Sequence, residues 1–256
     1  MKVIREPKVY LVGRQTVDEA GIERFLQDHG ATWETDTSIG AERLAEAAGR
    51  VCYMSFGKGR KTNAEYMNNI LASAHGSVLE HAVWNFLICG VSRSFTHELI
   101  RHRAGWGYSQ LSQRYVDESE CDFIEPDVIA SDPELHTVWL ESVRQSHEAY
   151  MKLVDGLARK FADEPSATLR RKLARQAARS VLPNATETKI FVTANARALR
   201  HFVELRANEH AEVEIRAVAI QMLRILQGES HSMFGDYQIV KYRDGTEIAT
   251  TEHRKV

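Results

Sequence analysis

The sequence predicts an α+β fold in which a small, mostly antiparallel sheet is covered by several helices, with the longest helical segments in the second half. Three observations predict it. Short apolar runs at Val9 to Gly13, Val83 to Val91 and Thr188 to Ala194 have strand length, and stretches of helical periodicity separate them. From about Glu134 to Ala162, Trp139, Val143, Tyr150, Leu153, Leu157 and Phe161 recur at near-heptad spacing, the stripe of a long helix facing a core or another subunit. YQIVKYRDGTEIAT, near the end, reads as a hairpin turning at Asp244-Gly245. At 256 residues the chain suffices for one well-buried domain, expected to span 1–256.

Taken in order, the first strand leads to a helix from about Val17 to His29 with Ile22, Phe25 and Leu26 on one side. A second helix, Gly40 to Arg50, runs into Val51 to Ser55 and then the glycine-rich, basic SFGKGRK, an exposed loop or a lid over a phosphate-bearing cofactor. Thr62 or Asn63 caps the next helix, with Tyr66, Ile70 and Leu71 inward. Ser92 or Ser94 caps another, with Phe95, Leu99 and Ile100 inward, and its C-terminal end delivers Arg101, His102 and Arg103. Asp117 to Pro133 is acidic and irregular. Pro165 breaks the long helix, and the one after it turns Leu169, Leu173, Ala177 and Val181 inward. Asn195 caps a further helix, and the helix from Glu212 to Gln227 carries Val213, Val218, Met222, Leu223 and Leu226 as core.

Composition narrows the function. A formal net charge of −2 gives no bulk attraction to nucleic acid, so any anion must be held by local clusters. Three cysteines, Cys52, Cys89 and Cys121, show no CxxC spacing, which suits a reducing cytoplasm. MKVIREPKVYLVG is too charged for a signal peptide, and no apolar run approaches the length of a membrane span. A cytoplasmic location with no membrane or nucleic-acid partner is expected. No metal is expected either. His75 and His81 lack a third ligand at a recognisable interval, and His102 follows His97-Glu98 by five residues, about 140° round a helix, too far to share one metal.

The chemistry concentrates in RHRAGWGYSQLSQRY, Arg101 to Tyr115, which holds three arginines, a histidine and many hydroxyls and amides without a carboxylate. Guanidinium forks suit phosphate, and Ser109, Gln110, Ser112, Gln113 and Tyr115 suit the polar edge of a planar ring. Arg93 lies eight residues before Arg101. Lys172, Arg175 and Arg179 fall at i, i+3 and i+7 with no compensating acids, and Arg197/His201 and Arg206/His210 repeat an i, i+4 spacing. A solvated basic surface is the plain alternative, and a nucleotide- or RNA-binding module with Trp106 and Tyr108 as stacking platforms is another.

Together with HGSVLEH (75–81), RQAARSVLPNATET (175–188) and NARALRHFVELRANEHAEVEIR (195–216), this motif resembles the flavin-dependent thymidylate synthases over most of the chain. The resemblance implies reductive methylation of dUMP to dTMP, with methylenetetrahydrofolate as carbon donor, FAD as cofactor and NADPH as reductant, in a homotetramer. It implies that Arg179 and Ser112 are catalytic positions, Arg179 stabilising charge on the pyrimidine and Ser112 orienting it without a covalent bond. Arg93, Glu98, Gln110, Gln113, Arg114, Lys172 and Arg206 join them as substrate positions. Implied cofactor positions are His75, Ser77, Glu80, Arg101, His102, Arg103, Ser109, Gln110, Arg175, Asn195, Arg197, His201 and His210. One departure stands out: eight residues, Ala104 to Leu111, separate Arg103 from Ser112, where the family has seven. The glycines of AGWG are expected to let this longer loop bulge outward, and a flavoprotein of the same fold with an altered substrate is the alternative it opens.

Overall fold

The computed structural model describes residues 1–256 and confirms the α+β class, with a small antiparallel sheet. Its strands are β1 (Val3–Ile4), β2 (Lys8–Arg14), β3 (Val83–Ser92), β4 (Trp106–Gln110), β5 (Phe123–Ile124), β6 (Glu187–Asn195), β7 (Gln238–Lys241) and β8 (Glu247–Thr250). The helices are α1 (Glu19–Asp28), α2 (Gly40–Tyr53), α3 (Asn63–Ala72), α4 (Arg93–Leu99), α5 (Asp127–Ala130), α6 (Pro133–Lys160), α7 (Ala167–Ala178), α8 (Ala196–Arg206), α9 (Val213–Glu229) and α10 (His231–Phe234). The main sheet has the order β2-β3-β6-β4, β1 pairs parallel to β5, and β7-β8 is the expected hairpin.

The chain forms two compact units. One comprises Met1–Lys8, Ile88–Ile100 and Ser109–Ile190, and the other Val9–Leu87, Arg101–Tyr108 and Phe191–Val256. Within the first, α6 packs on α7, and Phe123, Cys121 and Val143 form a core closed by Trp139, Leu140, Leu182 and Ala185. In the second, α8 packs on α9, and Trp84, Phe86, Leu199, Phe202, Met222 and Phe234 are fully buried.

Local chemistry places the helix starts. Thr62 caps α3 by accepting from the Glu65 N–H (3.2 Å), Ser92 caps α4 from Phe95 (3.0 Å), and Asn195 caps α8 from Ala198 (2.9 Å). The long helix starts one residue before the expected Glu134, because Asp132 caps it and Pro133 supplies a first-turn residue that needs no N–H partner.

Several expectations fail on burial. Ile100 is exposed beyond the end of α4, and Leu153, Leu169 and Val213 are also exposed. On α7 the small Ala174 and Ala178 are buried, whereas Leu169 and Ala177 are exposed. HGSVLEH forms a 3₁₀ helix over Gly76–His81. In the AGWG segment the Trp106 N–H donates to the Arg103 carbonyl (3.3 Å) in a tight turn with exposed Ala104 and Gly105, the latter at φ +75°, and Trp106 opens β4.

Candidate active site

In the second unit the site is built on α8 and the turn that carries Arg101 to Trp106. The Gly105 carbonyl accepts from the N–H of Asn195 (3.2 Å), so the turn is bonded to the residue that caps α8. His102 is buried, with its ring 5.2 Å from that of Phe202 and 6.1 Å from those of Trp106 and His201. Its Nε2 accepts from Arg206 Nε (3.0 Å), which leaves the ring proton on Nδ1. Burial, with the charges of Arg206 and His201, pulls the His102 pKa down to about 4, so the ring is neutral at pH 7.

Trp106 and Tyr108 stack on one another at 5.7 Å, and the Tyr108 hydroxyl donates to the His102 carbonyl (2.5 Å). Both rings are half-buried, and Trp106 also packs edge-on against Phe202 (5.4 Å). Arg101 and Arg103 project into solvent with no carboxylate partner. Arg197 pairs with Glu80 (2.6 Å), both about half exposed, beside the buried Gly76 that separates the exposed His75 and Ser77. His201 is exposed on α8, and the exposed His210 follows it with Nε2 3.6 Å from Glu209.

The first unit holds a different set. Gln110 donates from Nε2 to Thr96 Oγ1 (3.1 Å) and Thr188 Oγ1 (3.4 Å), which fixes its amide orientation, while Ser109 is exposed. Ser112 opens a helical turn: its carbonyl accepts from Tyr115 (3.1 Å) and Val116 (2.9 Å), and its Oγ accepts from the Arg114 N–H (3.4 Å). No base lies within hydrogen-bond reach of that hydroxyl. Lys172 Nζ sits 5.1 Å above the Tyr115 ring, and the Arg114 guanidinium is 5.8 Å from it.

The basic stripe on α7 is not free of acids, as the sequence suggested. Arg175 donates to Asp117 Oδ2 (2.6 Å) and to the Tyr115 carbonyl (2.8 Å), because the acidic connection folds back onto the helix. Arg179 makes no ion pair and stands near Arg93. Burial first, then Arg179, lowers the Arg93 pKa, while Glu118 opposes them. Glu98 is half-buried on α4. Arg93 Nη1, Gln113 Nε2, Arg114 Nε and Glu118 Oε1 are all buried without a partner.

The candidates thus divide by unit. Every expected substrate position except Arg206 falls in the first unit, and every expected cofactor position except Ser109, Gln110 and Arg175 in the second. Arg206 contacts His102, so an expected nucleotide position and an expected flavin position are hydrogen-bonded partners. Sequence reading missed Thr96, Asp117 and Glu118. The switch from basic to acidic residues directly after Tyr115 was the available signal for the last two.

Residues 35–230, which include every candidate from His75 to His210, match the family model described as thymidylate synthase complementing protein. A flavin-dependent thymidylate synthase of Mycobacterium avium is 51% identical over 230 residues, covering 89% of this chain and 91% of that one. The chain belongs to the flavin-dependent thymidylate synthase family. A second member, from Mycolicibacterium vanbaalenii, is 52% identical over 222 residues, covering 86% of this chain and 88% of its own. Among solved structures, the UMP/dUMP methylase PolB of Streptomyces cacaoi bound with 5-Br UMP superposes with a TM-score of 0.61 at 22% identity, over 92% of this chain and 95% of PolB. That likeness extends the family fold to a distant sequence. No helix of the chain is long and apolar enough to cross a membrane.

Proposed function

We propose that this chain methylates dUMP to dTMP, taking the carbon from methylenetetrahydrofolate and using FAD reduced by NADPH, as a cytoplasmic homotetramer whose subunit is one domain over 1–256. The observation that carries the reading is the set of buried, unpartnered donors Arg93 Nη1, Gln113 Nε2 and Arg114 Nε, at positions where the family resemblance puts the nucleotide. Leaving a charged donor buried and unpaired costs more than about 1–3 kcal/mol, so an anion that fills these positions recovers that loss on binding.

In this reading Arg93, Arg114 and Lys172 hold the phosphate, Gln110 presents an amide already oriented by Thr96, and Arg179 faces the pyrimidine. Arg179 suits the last role because it has no carboxylate to neutralise it, so its charge is available to an oxygen that turns negative as carbon 5 attacks. Ser112 orients the ring through its hydroxyl. A thiolate route is disfavoured at Cys121, which is buried and has its thiol pushed up to about 12, chiefly by burial.

The second unit's donor set fits a flavin dinucleotide. Arg101 and Arg103 are exposed cations without internal counter-charge, as a diphosphate requires, and His75, Ser77, Asn195, His201 and His210 add neutral or titratable donors around them. Bound FAD supplies the hydride that completes the methyl group. His102 stays neutral, and its Nε2 accepts from Arg206 Nε. Self-association is supported by Tyr10, Val12, Leu87 and Phe191, large apolar side chains exposed at alternate positions of three neighbouring strands.

Purified protein should carry or take up FAD, show a flavin band that bleaches under NADPH without oxygen, and form dTMP when dUMP and methylenetetrahydrofolate are added. Colourless protein that takes up no FAD would sink the reading.

A further inference from the structure

Residues 251–256 lie along α8 and reach its junction with the 3₁₀ helix Gly76–His81, the two elements that carry Ser77, Glu80, Arg197 and His201. Arg197, Arg200 and Glu204 fall at i, i+3 and i+7, on one face of α8. Glu204 accepts from Arg254 Nε (3.2 Å) and from the Lys255 N–H (2.9 Å), and Arg200 Nη2 donates to the His253 carbonyl (3.1 Å). The Thr251 hydroxyl donates to Asp236, the carboxylate that holds Arg200. Lys255 turns the chain at φ +60°, and Val256 is 7% exposed.

The seat for Val256 is Gly76. A Cβ built on Gly76 would lie 2.4 Å from the Val256 carbonyl carbon and 2.9 Å from Arg197 Nε. Gly76 has no positive φ, so its missing side chain serves close approach rather than an unusual backbone. Arg197 in turn pairs with Glu80 (2.6 Å), so Val256, the 3₁₀ helix and α8 meet at one point. A few hydrogen bonds and one buried side chain hold this segment, so it can open while the core stays folded.

We propose that residues 251–256 form a strap coupled to the flavin: docked on α8, it holds Gly76 and Arg197 in the arrangement that binds FAD, and bound FAD keeps it docked. This rests on the flavin reading above. Glu204 is then a positioning residue that acts through the strap. Coupling between two binding events is reciprocal, so each tightens the other by the same factor.

The test measures FAD affinity by flavin fluorescence and strap opening by trypsin, which cuts after Arg254 and Lys255 once the strap has left α8, followed by intact mass. In the parent, saturating FAD should slow loss of the strap residues by about tenfold or more. Glu204→Ala should raise the FAD Kd about tenfold, the size of a lost hydrogen bond to a charged group, and Glu204→Gln, which keeps one acceptor, by less. Deleting residues 253–256 should weaken FAD at least as much, and adding Glu204→Ala to the deletion should change nothing further, because Glu204 has no strap left to hold. The proposal is overturned if the deletion leaves the Kd within about twofold of the parent, if it tightens FAD, which would make the strap a competitor of the flavin, or if the two losses add. Trypsin rates that FAD does not change overturn it as well. If the shortened chain does not fold, the Glu204 variants and the trypsin rates still decide. A parent that takes up no FAD refutes the flavin reading itself, and this inference with it.

Discussion

Replacing Gly105 with alanine should damage the site by a calculable amount. Gly105 adopts φ +75°, where an L-residue costs about 1–2 kcal/mol. A Cβ built there would lie 2.7 Å from Asn195 Nδ2, 2.9 Å from Asn195 Oδ1 and 2.8 Å from the Ala198 Cβ. Neither neighbour gives way cheaply, since Asn195 Oδ1 caps α8 and Ala198 belongs to its first turn. Overpacking of that kind adds about 1–3 kcal/mol, for a total of roughly 2–5. Gly59 is the control: it has φ +81° and nothing within 4 Å of its Cβ position, so Gly59→Ala should cost only the backbone share, about 1–2 kcal/mol. Denaturant midpoints at one protein concentration separate the two, and FAD affinity should fall only for Gly105→Ala, because Asn195 must shift. If the two variants lose stability equally, the turn is not braced against α8 and the account of the longer loop is wrong.

Four further outcomes are expected. Arg206→Gln should raise the His102 pKa from about 4 toward its ordinary value, because a neighbouring positive charge is removed; an unchanged NMR titration refutes that coupling. Native His102 resists protonation until about pH 4 while the unfolded chain takes the proton near 6.5, so this group makes stability fall as pH drops through that window. His102→Asn should therefore show a shallower loss between pH 6.5 and 4, and an equal slope counts against the depressed pKa. Asp236→Asn should destabilise by about 3 kcal/mol, because it removes the negative charge and one of the two acceptor oxygens (2.7 and 2.8 Å) facing Arg200, which is 2% exposed, whereas Asp117→Asn at a half-exposed pair should cost under about 1 in the same urea series. Ser112→Ala should keep slow dTMP formation, within about a hundredfold of the parent, since no base activates the hydroxyl; complete loss with dUMP and FAD still bound would refute the orienting role.

How far the sequence could be read depended on the range of each interaction. Caps and strand alternation involve residues two to four apart, so Thr62, Ser92 and Asn195 could be named as helix starts, and the hairpin at Asp244-Gly245 found, without a fold. β4 escaped because Trp106 to Gln110 contains two polar residues and a glycine, and becomes a strand only through its neighbour β6. The α7 stripe misled as well: Leu169 and Ala177 fit the apolar period, but the structure buries Ala174 and Ala178. Arg175 looked unneutralised because its partner Asp117 lies 58 residues earlier.

By itself the sequence determined the α+β class, most helix starts, the family and the residue types gathered at the site, since these rest on short spacings and motifs. Only the tertiary structure decided how those residues are used. It put His102 against Arg206, 104 residues away, and so made the histidine neutral. It folded the acidic connection onto α7 to occupy Arg175, and it buried Glu118 and Gln113 with atoms unpaired. Charge state and burial depend on what surrounds a group in space, and neighbours brought together across tens of residues leave no periodic mark in the chain.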